Sequence, residues 1–149
     1  MNRIKLQIPD TFHFTTEIAV RITDINYGGH LGNDSFLTLL QEARQQYLHA
    51  YGYAELSFEG TGLIMADAVL EFKKEIRYPC TMRISVAAAD FDKLGFDLYY
   101  LLELVTPAGL ILAGRAKTGM LCFDYAQKKK VAVPDAAVQK LGGPPRHTI

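Results

Sequence analysis

From Phe12 to Ile22 the residues Phe12, Phe14, Thr16, Ile18, Val20 and Ile22 share one parity, and His13, Thr15, Glu17, Ala19, Arg21 and Thr23 the other. A period of two with mainly apolar members on one side predicts a half-buried strand. If extension persists past Ile22, Asp24 and Asn26 fall on the apolar side and point inward. The period then changes. Asn33, Asp34 and Ser35 are candidate N-caps for a helix whose apolar members Phe36, Leu39, Leu40, Ala43 and Tyr47 recur at three and four, with Gly52 as its stop. Adding Leu37, Leu48 and Tyr51 widens the apolar arc to about half the cylinder, more than a surface helix needs, so this helix asks to be wrapped. Arg44 falls inside the arc and needs a buried acceptor, for which a structural ion pair is the first reading. Glu42 lies outside it, on the solvated side.

Four further alternating segments follow: Ile64 to Ile76, Met82 to Ala88, Phe96 to Leu104, and about Leu110 to Phe123. Short connections at Lys93-Leu94-Gly95 and Thr106-Pro107-Ala108-Gly109, with Tyr78-Pro79-Cys80 before them, predict an antiparallel meander. Gly114 and Gly119 predict a bulge or bend in the last strand. A short helix through Leu141 is expected after Pro134, and residues 142–149 read as a loose tail. The economical way to bury the wide arc of the long helix is an antiparallel five-stranded sheet curled around it, an α+β architecture. Its free outer edges invite pairing with another copy.

A chain of 149 residues, 49% apolar and 21% charged, is long enough for one self-sufficient core, and residues 1–149 are read as a single domain. No apolar run approaches the roughly 20 residues of a membrane helix. The first residues lead into alternation instead of a secretory apolar block, so the cytoplasm is the expected location. Sixteen basic residues balance sixteen acidic ones, which removes the long-range field that nucleic-acid binding uses, despite the local run Lys128-Lys129-Lys130. Cys80 and Cys122 stand alone, with no metal-ligand spacing, so buried free thiols are expected and no metal.

The unusual polar chemistry is concentrated in Asp24-Ile25-Asn26-Tyr27-Gly28-Gly29-His30-Leu31-Gly32-Asn33. Asp24, Asn26, His30 and Asn33 offer a carboxylate, two amides and an imidazole, while the paired glycines let a backbone approach a ligand closely. Each residue also has a plainer reading: Asp24 as the cap of a turn, His30 as a hydrogen-bonded packing residue, Asn33 as a helix cap, and Asn26 as a residue tolerant of left-handed backbone. Lys73, Lys74, Arg77, Arg83, Arg115, Lys117 and Lys128 are the cations available to phosphate groups, or simply solvated strand residues.

Asp24-Ile25-Asn26, His30-Leu31-Gly32-Asn33 and Glu42-Ala43-Arg44 resemble the motif run of the hotdog-fold thioesterases, in particular the 4-hydroxybenzoyl-CoA and acyl-carrier-protein branch. Leu121-Cys122-Phe123-Asp124 and Val131-Ala132-Val133-Pro134 resemble the closing strand and the proline before the last helix. The resemblance implies a hotdog fold and hydrolysis of acyl-CoA or acyl-carrier-protein thioesters, with no cofactor, in a dimer or tetramer whose sites lie between subunits. It also implies catalytic roles for Asp24, Asn26 and His30, and substrate binding at Gly29 and Asn33. In the family the second acid of the first pair commonly acts as base or nucleophile, and here Asn26 holds its place. An amide has no basic site near neutral pH, so the expected mechanism has Asp24, directly or through His30, activate water. Asn26 orients the water or the thioester, and backbone N–H groups near Asn33 hold the oxyanion. Two other functions fit the same stretch. One is a hotdog hydratase, whose motif resembles Asp-x-Asn-Pro-x-His, although Tyr27 replaces the proline and His30 comes one residue late. The other is a non-catalytic acyl-thioester binder.

Overall fold

The computed structural model describes residues 2–145. Its elements are β1 (Phe14–Ala19), α1 (Asn33–Ala50), β2 (Gly62–Phe72), β3 (Thr81–Ala89), β4 (Gly95–Thr106), β5 (Gly109–Asp124), β6 (Lys129–Lys130) and α2 (Asp135–Leu141). One antiparallel sheet runs in the order β1-β3-β4-β5-β2, and the two-residue β6 adds to β5.

The alternation in β1 holds as expected, with Phe14, Thr16 and Ile18 turned inward and Thr15, Glu17 and Ala19 outward. The strand ends earlier than its periodicity suggests. A 3₁₀ turn at Ile22–Asp24 breaks the extension and leaves Ile22 exposed, while Val20 stays buried and donates its N–H to Cys80 O at 2.9 Å. The helix runs over its expected span, although its N-cap is Gly32 and not Asn33, Asp34 or Ser35, and it buries Phe36, Leu39, Leu40, Ala43, Tyr47 and Leu48 against the sheet. Leu37 is the exception, since it faces outward. The opposing wall is Met82, Ile84 and Val86 of β3, Leu98, Tyr100 and Leu102 of β4, and Ala116 and Met120 of β5, all buried. Each large side chain taken fully out of water contributes about 1.5–3 kcal/mol, so this helix–sheet contact is the main source of stability.

The anticipated bend in β5 is found where the glycines marked it. The β4–β5 register shifts beside Gly114, with Ala113 as the extra residue, and the β2–β5 register shifts opposite Gly119. A Cβ on Gly114 would stand 2.7 Å from Glu71 O and 3.1 Å from Phe36 Cζ, so only glycine lets β2 and the first turn of α1 come this close.

The simple meander is corrected. Strands β3, β4 and β5 are joined by hairpins, but β2 pairs with β5 at the far edge of the sheet. Residues 73–80 therefore form a crossover and not a hairpin. The crossover passes over the start of α1, buries Ile76 there, and is pinned by Leu31 N–H to Ile76 O at 2.7 Å. A tight β2–β3 hairpin would leave both Ile76 and the start of the helix uncovered. Of the predicted tail, Tyr51 donates its hydroxyl hydrogen to Gly143 O, and residues 146–149 lie outside the described residues.

Candidate active site

The loop before α1 is held by its own polar groups. Asp24 is buried and accepts from Arg21 three times: the backbone N–H at 2.8 Å, Nε at 3.3 Å and Nη2 at 3.0 Å. The hydrogen bonds from Arg21 hold its carboxyl below the usual carboxylate range, against the opposing effect of burial. Beyond it the chain doubles back. Ile25 bridges to Leu31, Asn26 N–H donates to His30 O at 2.9 Å, and Gly29 N–H donates to Asn26 O at 3.1 Å. Asn26 Oδ1 accepts from Gly28 N–H at 2.9 Å and from His30 N–H at 3.5 Å, an Asx-type closure of the turn. Gly29 supplies the left-handed residue this turn requires, at φ +84°.

This loop, the first turn of α1 and the crossover border an open cavity of about 560 Å³. Asn26, Tyr27, His30 and Leu31 line it from the loop, Asn33 and Phe36 from the helix, and residues 72–76 from the end of β2 and the crossover. One wall is apolar: Phe36 meets Phe72 edge to face at 5.0 Å between ring centres, beside Leu31 and Ile76. The other is polar. His30 Nε2 stands 3.9 Å from Glu75 Oε1, and the second Glu75 oxygen lies 3.1 Å from Arg77 Nη2. The helix presents its positive end. Gly32 is the N-cap, Phe36 N–H closes on Gly32 O at 3.0 Å, and Asp34 N–H is taken by Asn33 Oδ1 at 2.9 Å. The N–H groups of Asn33 and Ser35 have no partner among the described residues, which suits them to hold a developing negative charge.

The structure thus brings Asn26, His30 and Asn33 to one cavity. Asp24 and Gly29 are not among the residues that line it. The carboxylate of Asp24 is spent on Arg21, the turn-capping alternative of its two readings, because the chain curls into a 3₁₀ turn instead of continuing extended. Asn33 lies one residue past the cap. Glu75 was not anticipated from the sequence, although its neighbours Lys73, Lys74 and Arg77 were. The available signal was the charged run Lys73-Lys74-Glu75 ahead of a buried Ile76, which interrupts the strand pattern. Elsewhere, Arg44 finds the acceptor it needs: Nε donates to Glu55 Oε1 at 2.7 Å and Nη1 to Tyr100 Oη at 3.4 Å. Glu42 is solvated as expected and accepts from Gln46 Nε2 at 3.2 Å. No described helix is long and apolar enough to cross a membrane.

Three solved structures share the architecture, at identities that speak to fold alone. A DHNA-CoA thioesterase from Staphylococcus aureus is 22% identical, with a TM-score of 0.70 over 79% of this chain and 78% of that one. A 1,4-dihydroxy-2-naphthoyl-CoA thioesterase from Synechocystis is 20% identical, with a TM-score of 0.74 over 88% and 98%. The 4-hydroxybenzoyl-CoA thioesterase from Pseudomonas sp. strain CBS-3 is 16% identical, with a TM-score of 0.76 over 87% and 99%. No curated protein matches the chain. The model of the thioesterase-like superfamily matches residues 20–141, from the end of the first strand through the last helix. With its curled antiparallel sheet packed on a long helix, the chain has the hotdog fold and belongs to the thioesterase-like superfamily.

Proposed function

We propose that the protein is an acyl-CoA hydrolase whose site is the cavity at the start of α1. The observation that carries this reading is the convergence on one cavity of an imidazole, Asn33 at the helix N-terminus with its unpartnered N–H, and an apolar wall. The acyl group lies against Phe36 and Phe72, and its carbonyl oxygen faces the N–H of Asn33 at the positive end of the helix. His30 takes a proton from water as the water oxygen bonds to the acyl carbon. The C–S bond then breaks, and the imidazolium returns the proton to the leaving thiolate. The sum is thioester plus water to acid plus thiol. Asn26 shapes the turn that carries His30 and presents its amide to the reacting groups, and Gly29 allows that turn. Asp24, fixed by Arg21, holds the loop without touching substrate. Lys73 and Lys74 on the rim suit the phosphates of CoA better than they suit an apolar partner.

The reading needs neither metal nor cofactor and places the enzyme in the cytoplasm with its CoA-linked substrate. It also includes a second copy. The free edge of β2 is eleven residues long and leaves Met65, Ala66, Ala68 and Phe72 exposed, a surface suited to antiparallel pairing with its own copy. Phe72 lines the cavity, so that pairing would set the partner beside the site.

Thiol release from short, long and aromatic acyl-CoAs tests the reading, with acyl-carrier-protein thioesters run in parallel. Turnover by the wild type and a loss of about 10²- to 10⁴-fold in H30A are expected. Absence of thiol release across the panel overturns it. A second reading, a non-catalytic acyl-thioester binder, is favoured by one observation: Asn26 Oδ1 and Asp24 are both committed to their own turn. Saturable acyl-CoA binding without turnover is its mark.

A further inference from the structure

We propose that Glu75 supplies the carboxylate this site lacks at position 26, acting as a positioning residue on His30; the inference rests on the hydrolase reading above. Glu75 is the one Asp or Glu among the described residues that line the cavity. Its place beside His30 is set by the backbone. Leu31 N–H donates to Ile76 O at 2.7 Å, both residues are buried, and with the two segments tied there the side chains of His30 and Glu75 come within 3.9 Å. Arg77 holds the other carboxylate oxygen at 3.1 Å and restricts the swing of the side chain. The loop has no spare acid to offer, because Asp24 is closed on Arg21.

The chemistry follows from which nitrogen faces the acid. His30 Nε2 lies 3.9 Å from Glu75 Oε1, within ion-pair reach but longer than a hydrogen bond. A small turn of the exposed Glu75 side chain closes the gap, and the neutral tautomer that then suits the pairing carries its hydrogen on Nε2 and leaves the Nδ1 lone pair free. Nδ1 then receives the water proton, and the positive charge that forms on the ring sits beside the carboxylate. A thioester that fills the cavity displaces water and strengthens this interaction at the moment it is needed. Five other charged groups surround the pair. Lys73 and Lys74 share its wall, Arg77 Nη1 lies 3.7 Å from where a Cβ of Gly29 would stand, Asp34 is on the first turn of α1, and Asp24 lies beneath the loop. The crossover thus replaces, from a different strand connection, the acid that the loop does not carry.

The test combines kinetics with histidine ¹⁵N spectra of the free full-length protein. Glu75 is exposed, so its variants should melt with the wild type. In E75A, kcat should fall about 10²-fold while KM stays within about threefold, because the lost interaction develops only as the ring becomes charged. The ¹⁵N shifts should report His30 mainly as the Nε2–H tautomer in the wild type and as a mixture in E75A. E75Q, which keeps an acceptor oxygen, should restore the tautomer and part of the rate. An unchanged kcat in E75A, or the same tautomer populations in wild type and E75A, overturns the proposal. Should the wild type release no thiol at all, the hydrolase reading fails, and the spectra alone decide whether Glu75 positions His30.

Discussion

The polar cluster under the middle of α1 and the polar cluster at its start use similar residue types in opposite ways. Under the helix, Arg44, Glu55, Tyr100 and Thr118 close on one another: Arg44 reaches Glu55 and Tyr100, and the hydroxyls of Tyr100 and Thr118 are hydrogen-bonded at 2.7 Å. Burial pushes the Tyr100 hydroxyl up, so it serves there as a neutral donor and acceptor. At the start of the helix, His30, Glu75 and Asn33, whose backbone N–H has no partner among the described residues, line a cavity with their capacity largely unspent. Polar groups satisfied within the fold specify its packing, whereas groups left facing a cavity are available to a ligand. Asp24 stands between the two cases: it lies in the loop of the site, yet it is fully engaged like the residues of the core.

That contrast can be attacked at three points. The largest effect is expected for R44A, which strands Tyr100 and Glu55 without their donor. Allowing for the partial exposure of Glu55, it should cost about 2–4 kcal/mol, read as a lower urea midpoint, with kcat of the folded fraction little changed. Loss of turnover at full stability would instead place Arg44 in the site. Next, D24N should cost about 1 kcal/mol and leave thiol release within about threefold of the wild type; a collapse of the rate in a folded variant would return Asp24 to catalysis. The pH dependence has a definite sign. The folded pKa of Asp24 is depressed, so its stabilisation is complete above the unfolded value of about 3.9 and is lost as pH falls through the lower folded value. Glu71, depressed chiefly by the N–H of Leu6, adds to the same loss. The acid unfolding of D24N should accordingly be shallower than that of the wild type. The smallest effect is Y47F. The Tyr47 hydroxyl is buried without a hydrogen-bond partner among the described residues, so its removal should be neutral or stabilise by up to about 1 kcal/mol, measured by the same urea titration.

Much of the fold was legible because periodicity reports which side of an element is buried. The parity of β1, the wide arc of α1, the need of Arg44 for an acceptor and the bend of β5 at its glycines all follow from local spacing. Local spacing does not report which strand becomes whose neighbour. The pattern of β2 is the same whether it pairs with β3 or with β5, and so the crossover over α1, with Glu75 on it, stayed hidden. Asp24 illustrates the limit on a smaller scale. Extended geometry would have turned it inward, but the extension ends at Ile22; Asp24 is buried instead by a 3₁₀ turn, and that turn also brings it to Arg21, the partner that consumes it.

By itself, then, the amino-acid order determined a long helix to be wrapped by an antiparallel sheet and a glycine-rich polar loop at the helix start. Those properties are written in the spacing of neighbouring residues. Tertiary structure decided that β2 lies at the far edge, that the segment after it returns across the helix, and that an imidazole and a carboxylate from different connections share one cavity. The reason is physical: strand partners are selected by the simultaneous burial of distant apolar faces, Ile76 over the start of α1 among them, and no local window contains that competition.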